Sequence, residues 1–298
     1  MADVAVFDER VCQLGEGPYY DERVGRVSWV DILGRSVRWR EPASSVTGEM
    51  PVAEDLGAAV PRRGGGLVLC LPAGPALLDE DGWIQPLGGY AEADEAAGVP
   101  PATDPPRLRS NDAKADPAGR LWLGTMAYDE APGVCALYRL EPDATRPTRV
   151  LGDVTISNGL GWSLDGRTMY YVDTPTGRVD AFDYDLGSGD IANRRPFAEI
   201  DHADGFPDGL CVDAEGGVWV ALWSGGAVRR YTSDGILDRK VQLPTPLVTS
   251  CAFGGDGYAQ LLITTAAMGR PADDTAAGLT YVYQPGDVVG RPVDRYAG

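Results

Sequence analysis

Six turn glycines recur through this chain at blade-length intervals; aromatic or β-branched runs follow Gly25, Gly119, Gly166 and Gly216, and the units at Gly65 and Gly257 match less closely. They predict an all-β fold, a six-bladed β-propeller around a central channel. The glycines are Gly25, Gly65, Gly119, Gly166, Gly216 and Gly257, in steps of 40, 54, 47, 50 and 41 residues. Self-similarity at about 40–50 residues, with several short strands per unit, is how propeller blades read in sequence. Composition agrees: 39 glycines and 23 prolines suit many turns and few helices. Six such units account for the chain, so residues 1–298 are expected to form one propeller domain.

The unit is clearest from Ser157 to Asp173. Asp165-Gly166 supplies the positive φ that a tight turn needs. The run Thr168 to Val172 after it suits a half-buried strand. In chain order, Val4 to Phe7 reads as a short strand without a local partner. It is placed on the last blade, closing the ring without a free edge. Leu14 to Pro18 then enters the first blade, and Arg26 to Val30 follows its turn. The second blade runs from about Leu56 to Trp83, with strands at Gly66 to Cys70 and Ala76 to Leu78. Gly88 to Arg107, rich in Ala, Glu, Asp and Pro, is expected to be an irregular surface loop over one mouth of the channel. The third blade opens at Arg109. The fourth and fifth centre on Gly166 and Gly216. The sixth runs from Leu247 to the end, with strands at Gln260 to Thr264 and Leu279 to Tyr283.

Eight residues before the turn glycines stand Gly57, Asn111, Asn158, Asp208 and Thr249; nine before the first stands Glu16. The first strand of a propeller blade lines the channel, so equivalent positions converge on one axis. Glu16, Asn111, Asn158 and Asp208 are therefore expected to ring one mouth, with Gly57 leaving the second blade's side open. Two carboxylates and two amides aimed at one point are costly without a partner. A hard divalent cation such as Ca2+, Mg2+ or Mn2+ suits such oxygen donors. Simple turn capping by each residue is the alternative. Arg109 precedes Asn111 by two, so an extended strand points both to one face. The acidic connection Ala127 to Glu130 is placed to overhang the same mouth.

Other chemistries are excluded. One histidine, His202, cannot build a His-ligated zinc cluster. Gly161 to Asp165 lacks the last glycine of a nucleophile elbow. No phosphate-cradling glycine loop is present. Asp183 to Asp190 lacks the helices and closing Glu of an EF-hand, and reads as a hairpin turn. A net charge of −18 repels nucleic acid and anionic membranes. Five scattered cysteines without C-x-x-C, no signal-peptide pattern and no membrane-length apolar run point to a reduced, cytoplasmic protein. The cysteines are expected to be buried as small hydrophobes.

The run from Arg109 through Asn111, Asp112, Lys114 and Asp116 to Arg120, followed by Gly124 to Met126, resembles the regucalcin (senescence marker protein) and gluconolactonase family. So do Asn158 to Asp165, Val179 to Asp185, Pro207 to Asp213 and Thr249 to Gly254, in the family's order and over nearly the whole chain. The resemblance implies a six-bladed propeller with one divalent ion (Ca2+, Mg2+, Mn2+ or Zn2+) held by Glu16, Asn158 and Asp208. It implies substrate contacts at Arg109 and Asn111, and at Asp129, where some members carry Glu; Glu130 is its neighbour. The implied reaction is hydrolysis of a sugar-acid lactone, with Asp208 both ligand and general base. The expected partner is that small molecule alone; the oligomeric state stays open. Two rivals are an organophosphate or arylester hydrolase on the same fold, and a non-catalytic calcium- or sugar-binding protein.

Overall fold

The computed structural model describes residues 4–99 and 107–298. Six four-stranded antiparallel sheets stand in a ring, a six-bladed β-propeller. Each blade's first strand lines the channel: Gly15–Asp21, Ala58–Pro61, Leu108–Ala115, Ser157–Trp162, Phe206–Val212 and Val248–Gly254. All six turn glycines follow these strands and take positive φ, between 60° and 96°. Burial falls outward along a blade. Val248–Gly254 is buried throughout, whereas the outer strand Ile84–Pro86 is wholly exposed.

The N-terminal strand, Ala5–Asp8, pairs antiparallel with Thr280–Tyr283 and completes the sixth blade. Closure therefore follows the expected pairing. It also covers the edge that Thr280–Tyr283 would otherwise leave free. The hydrophobic core lies between blades. Trp122 of blade three packs with Leu160, Trp162 and Met169 of blade four. Val220 and Leu222 of blade five pack with Val172 and Val179 of blade four.

Two stretches differ from the sequence expectation. Gly88 to Arg107 is not all loop, because Tyr90–Ala96 is helical. Its Ala, Glu and Asp residues include good helix formers, and the Glu92 carboxylate accepts from the Gly89 backbone N–H at the helix start. Tyr90 and Ala93 bury into the layer between blades two and three, so the helix packs on the blades' flank. The proline-rich residues 100–106 lie outside the described residues. The sixth blade's strands end at Tyr283, and the remaining tail crosses the turn-glycine mouth of the channel. There Ala214 N–H donates to Val289 O at 2.9 Å, Gly290 N–H to Tyr258 O at 2.9 Å, and Ala297 N–H to Gly119 O at 2.9 Å. Tail residues Arg291 to Asp294 close a cavity of about 90 Å3 along the axis. One mouth is thus covered by the segment after Tyr283, and the site lies at the other.

Candidate metal and substrate centre

Five of the six inner strands break register near the expected ring positions. The shifts fall between Glu16 and Tyr19, Ser110 and Ala113, Ser157 and Leu160, Pro207 and Leu210, and Val248 and Ser250. A bulge re-aims side chains and interrupts the ladder, and such irregularities concentrate at functional rims. Blade two pairs regularly and contributes Gly57. The sequence left that side of the ring open; the structure fills it with backbone. A Cβ on Gly57 would meet Asn111 O at 2.5 Å. Gly159, beside Asn158, is constrained likewise, its Cβ position lying 2.6 Å from Asp208 O.

The ring is buried and connected. Glu16, Arg109, Asn111, Asn158 and Asp208 are each at most 8% exposed. Arg109 Nη1 donates to Asn111 Oδ1 at 2.7 Å. Asn111 Nδ2 donates to Asn158 Oδ1 at 2.9 Å and to Ser157 O at 2.9 Å. Asn158 Nδ2 donates to Thr174 Oγ1 at 2.8 Å, and that hydroxyl donates to Pro207 O at 2.8 Å. Thr174 therefore fixes which way the Asn158 amide faces, turning its oxygen toward Asn111. It also ties Asn158 to the strand bearing Asp208. Sequence reading missed Thr174, which lies beyond the far end of the adjoining strand.

The carboxylates are under-satisfied. Glu16 Oε2 accepts one backbone N–H, from Gly17 at 3.0 Å. Asp208 Oδ1 is buried with no hydrogen-bond partner. Burial, then the charge of Asp112, pushes Glu16 up to about 8 against the pull of Gly17, Arg109 and Lys114. Burial, then Glu16 and Asp112, raises Asp208 well above the ordinary carboxylate range. These two groups feel each other, so the proton they retain belongs to the pair. Among the described residues no three His, Cys, Asp or Glu side chains group at metal-ligand spacing. A donor set here consists of two carboxylates completed by an amide oxygen. An orphaned, buried carboxylate oxygen and an all-oxygen set fit a hard divalent ion.

Asp112 and Lys114 line the axial cavity below the ring, where Lys114 Nζ donates to Leu210 O at 2.7 Å. Asp129 is exposed, and its Oδ1 accepts from Ala131 N–H at 3.2 Å within its own turn. The structure does not bring it into the ring's hydrogen bonds. Its neighbour Tyr128 instead faces Arg109's surroundings, with its hydroxyl on Asp55 Oδ2 at 2.6 Å. All five cysteines are free and buried, as expected. His202 stacks near Phe206, with ring centroids 5.0 Å apart. Among the described residues no helix is long and apolar enough to cross a membrane.

Residues 14–267 match the SMP-30/Gluconolactonase/LRE-like region. Regucalcin of Danio rerio is 38% identical over 295 residues, covering 96% of this chain and 95% of the relative. A luciferin-regenerating enzyme superposes with a TM-score of 0.90 at 29% identity, covering 100% of both chains. Regucalcin of Agrobacterium tumefaciens, described as a calcium-binding protein, superposes with a TM-score of 0.88 at 28% identity, covering 100% of this chain and 98% of its own.

Proposed function

The chain belongs to the SMP-30/Gluconolactonase/LRE-like family, and from that premise we propose that it is a divalent-metal-dependent lactonase opening a sugar-acid lactone to the acid. The observation that carries this reading is the pair Glu16 and Asp208, two buried carboxylates raised by burial, one with an oxygen that bonds nothing. In this reading Glu16, Asn158 and Asp208 hold the ion. When bound, it supplies positive charge that polarises the lactone carbonyl and stabilises charge developing on its oxygen. Asp208 takes the proton from the attacking water. Arg109 and Asn111, already bonded to each other, orient the ring hydroxyls. Thr174 keeps the Asn158 amide facing correctly. The tail covers the far mouth, so in this reading substrate enters at the ring.

The test is a lactone panel read by acid release, after chelation and reloading with each divalent ion. Asp208→Asn keeps an oxygen and nearly the same volume but removes the basic site. At full metal occupancy, checked by elemental analysis, its turnover should fall by at least ~10²-fold, the scale of losing a general base. Wild-type-like turnover would remove that role from Asp208. Regucalcin's description as calcium-binding supports a second reading, an ion- or sugar-binding propeller without catalysis. Tight ion binding with no turnover on lactones, phosphotriesters or aryl esters would select it. Turnover confined to the latter two would select an organophosphate or arylester hydrolase.

A further inference from the structure

Four arginines of this chain are more than nine-tenths buried: Arg109, Arg120, Arg229 and Arg230. Three have a carboxylate at hand. Arg120 meets Glu141 at 2.8 Å, Arg229 meets Asp204 at 2.8 Å, and Arg230 meets Asp213 at 2.7 Å. Among the described residues Arg109 has no ion pair. Its hydrogen bonds go to uncharged oxygens, Ser110 O at 2.9 Å and Asn111 Oδ1 at 2.7 Å. In a chain of net charge −18, leaving this buried, site-facing guanidinium unpaired is a conspicuous omission. Buried charges are ordinarily paired. Glu16 and Asp208 act on Arg109 through their charge, but an ion at the ring would claim both.

The surrounding rim does not supply the missing anion. Asp55 is already engaged by Arg35 Nε at 2.8 Å and by the Tyr128 hydroxyl at 2.6 Å. Arg107 lies over the Tyr128 ring, 4.3 Å from its centroid, and adds a second cation without an ion pair among the described residues. With Arg35, Arg107 and Arg109 set against Asp55, this rim cluster carries an excess of positive charge. Asp129 does not reverse this: its side chain caps its own exposed turn.

Resting on the lactonase reading, we propose that the substrate is an acidic sugar lactone, one whose terminal carbon is a carboxylate, and that Arg109, with Arg107 at the rim, receives that group. A planar guanidinium matches a carboxylate in two-point contact. A neutral lactone with a terminal hydroxymethyl group would leave Arg109 buried without a counter-charge.

The experiment compares an aldarolactone with the matched aldonolactone on protein loaded with Mn2+. It adds calorimetric titration with a uronate and its parent neutral sugar, which need no turnover. The carboxylated lactone should win by roughly 10- to 100-fold in kcat/KM, the range expected of a charged hydrogen bond. The uronate should bind at least tenfold tighter than the neutral sugar. In Arg109→Gln both ratios should collapse toward one, whereas Arg63→Gln, at the opposite mouth, should keep them. A uronate held by the metal alone would keep its advantage in Arg109→Gln, and that result overturns the proposal. Equal kcat/KM on the two lactones, with no tighter uronate binding, overturns it while leaving the lactonase reading intact. A preference for a phosphorylated lactone over the carboxylated one also overturns it. Hydrolysis of neither lactone defeats the lactonase reading; Arg109-dependent uronate binding would then still uphold the anion site.

Discussion

The two mouths of the channel are built from the same strands and carry the same kind of residue, a buried carboxylate, but they treat it in opposite ways. At the sealed mouth Asp213 is 0% exposed and fully engaged. It accepts from Glu215 N–H at 2.9 Å, Gly217 N–H at 2.8 Å, Trp219 Nε1 at 2.8 Å and Arg230 Nε at 2.7 Å. Asp116, its counterpart in blade three, holds Arg120 N–H at 2.9 Å, Trp122 Nε1 at 3.1 Å and the Tyr184 hydroxyl. At the open mouth Glu16 has one backbone donor and Asp208 has an oxygen with none. Burial is alike at both ends. The difference is the partners, and it separates a carboxylate that fastens the fold from one that awaits a ligand.

The largest effect that could break this comparison is on stability. Asp213→Ala strands three N–H donors and takes from Arg230 the most buried of its three carboxylate partners, leaving Glu215 and Asp238, and should cost about 3–5 kcal/mol, the scale of breaking a buried ion pair. Asp208→Ala in chelated protein should cost nothing or stabilise, because it removes an unmet burial demand. Urea unfolding of the two variants side by side decides it. Equal losses would mean the open-mouth carboxylates are structural after all.

A second, smaller effect sharpens the comparison through pH. Glu16 is pushed up to about 8 in the folded protein, from 4.5 for a free glutamate. Between those values the unfolded chain has shed a proton that the folded chain keeps, so metal-free stability should fall as pH rises. The slope is at most about 1.4 kcal/mol per pH unit for each such proton. At the sealed mouth Asp21 has the opposite sign. Burial pushes its carboxyl up, but the bond from Arg23 and the charge of Arg295 outweigh that and hold it low. Its contribution is present at neutral pH and is lost as pH falls through its folded value. Loading a divalent ion should cancel the alkaline-side loss and release protons near pH 7. Calorimetry in two buffers of different ionisation enthalpy counts them. No proton release, with flat metal-free stability from pH 5 to 8, would break the assignment.

Much of this was legible in the sequence because its signals are local. A positive-φ glycine and the strand after it occupy adjacent residues, so six of them announced six blades. Ring positions followed from strand order within a blade. The offset slips by one, nine residues for Glu16 against eight for Asn111, Asn158 and Asp208, although all four strands bulge at the ring. Long-range partners were not legible. Nothing local marks Thr174 as the group orienting Asn158, or the tail as the seal of one mouth. Gly57 looked like an absent ligand, whereas it is the space that blade three's backbone needs. The helix Tyr90–Ala96 was hidden inside a composition that reads as loop.

That helix supplies the smallest predicted effect and the finest test of the contrast between fastening and function. The Ser110 hydroxyl donates to Leu71 O at 2.6 Å, so toward Tyr90 it accepts, and the Tyr90 hydroxyl is the donor. Ser110 stands between Arg109 and Asn111 on the third blade's inner strand, so a bond on the blades' flank steadies the open mouth from behind. Tyr90→Phe keeps the ring in its layer between blades two and three and removes that one bond. Ser110 remains satisfied by Leu71, so the loss should be only about 0.5–1.5 kcal/mol, the net value of a single hydrogen bond. If the brace serves the site, substrate KM should rise while the affinity for the divalent ion stays unchanged, because Arg109 and Asn111 are moved and Glu16 and Asp208 are not. Unfolding in urea, metal titration and KM measured on one preparation separate the outcomes. A stability loss with KM unmoved would place Ser110 with the fastening residues of the sealed mouth.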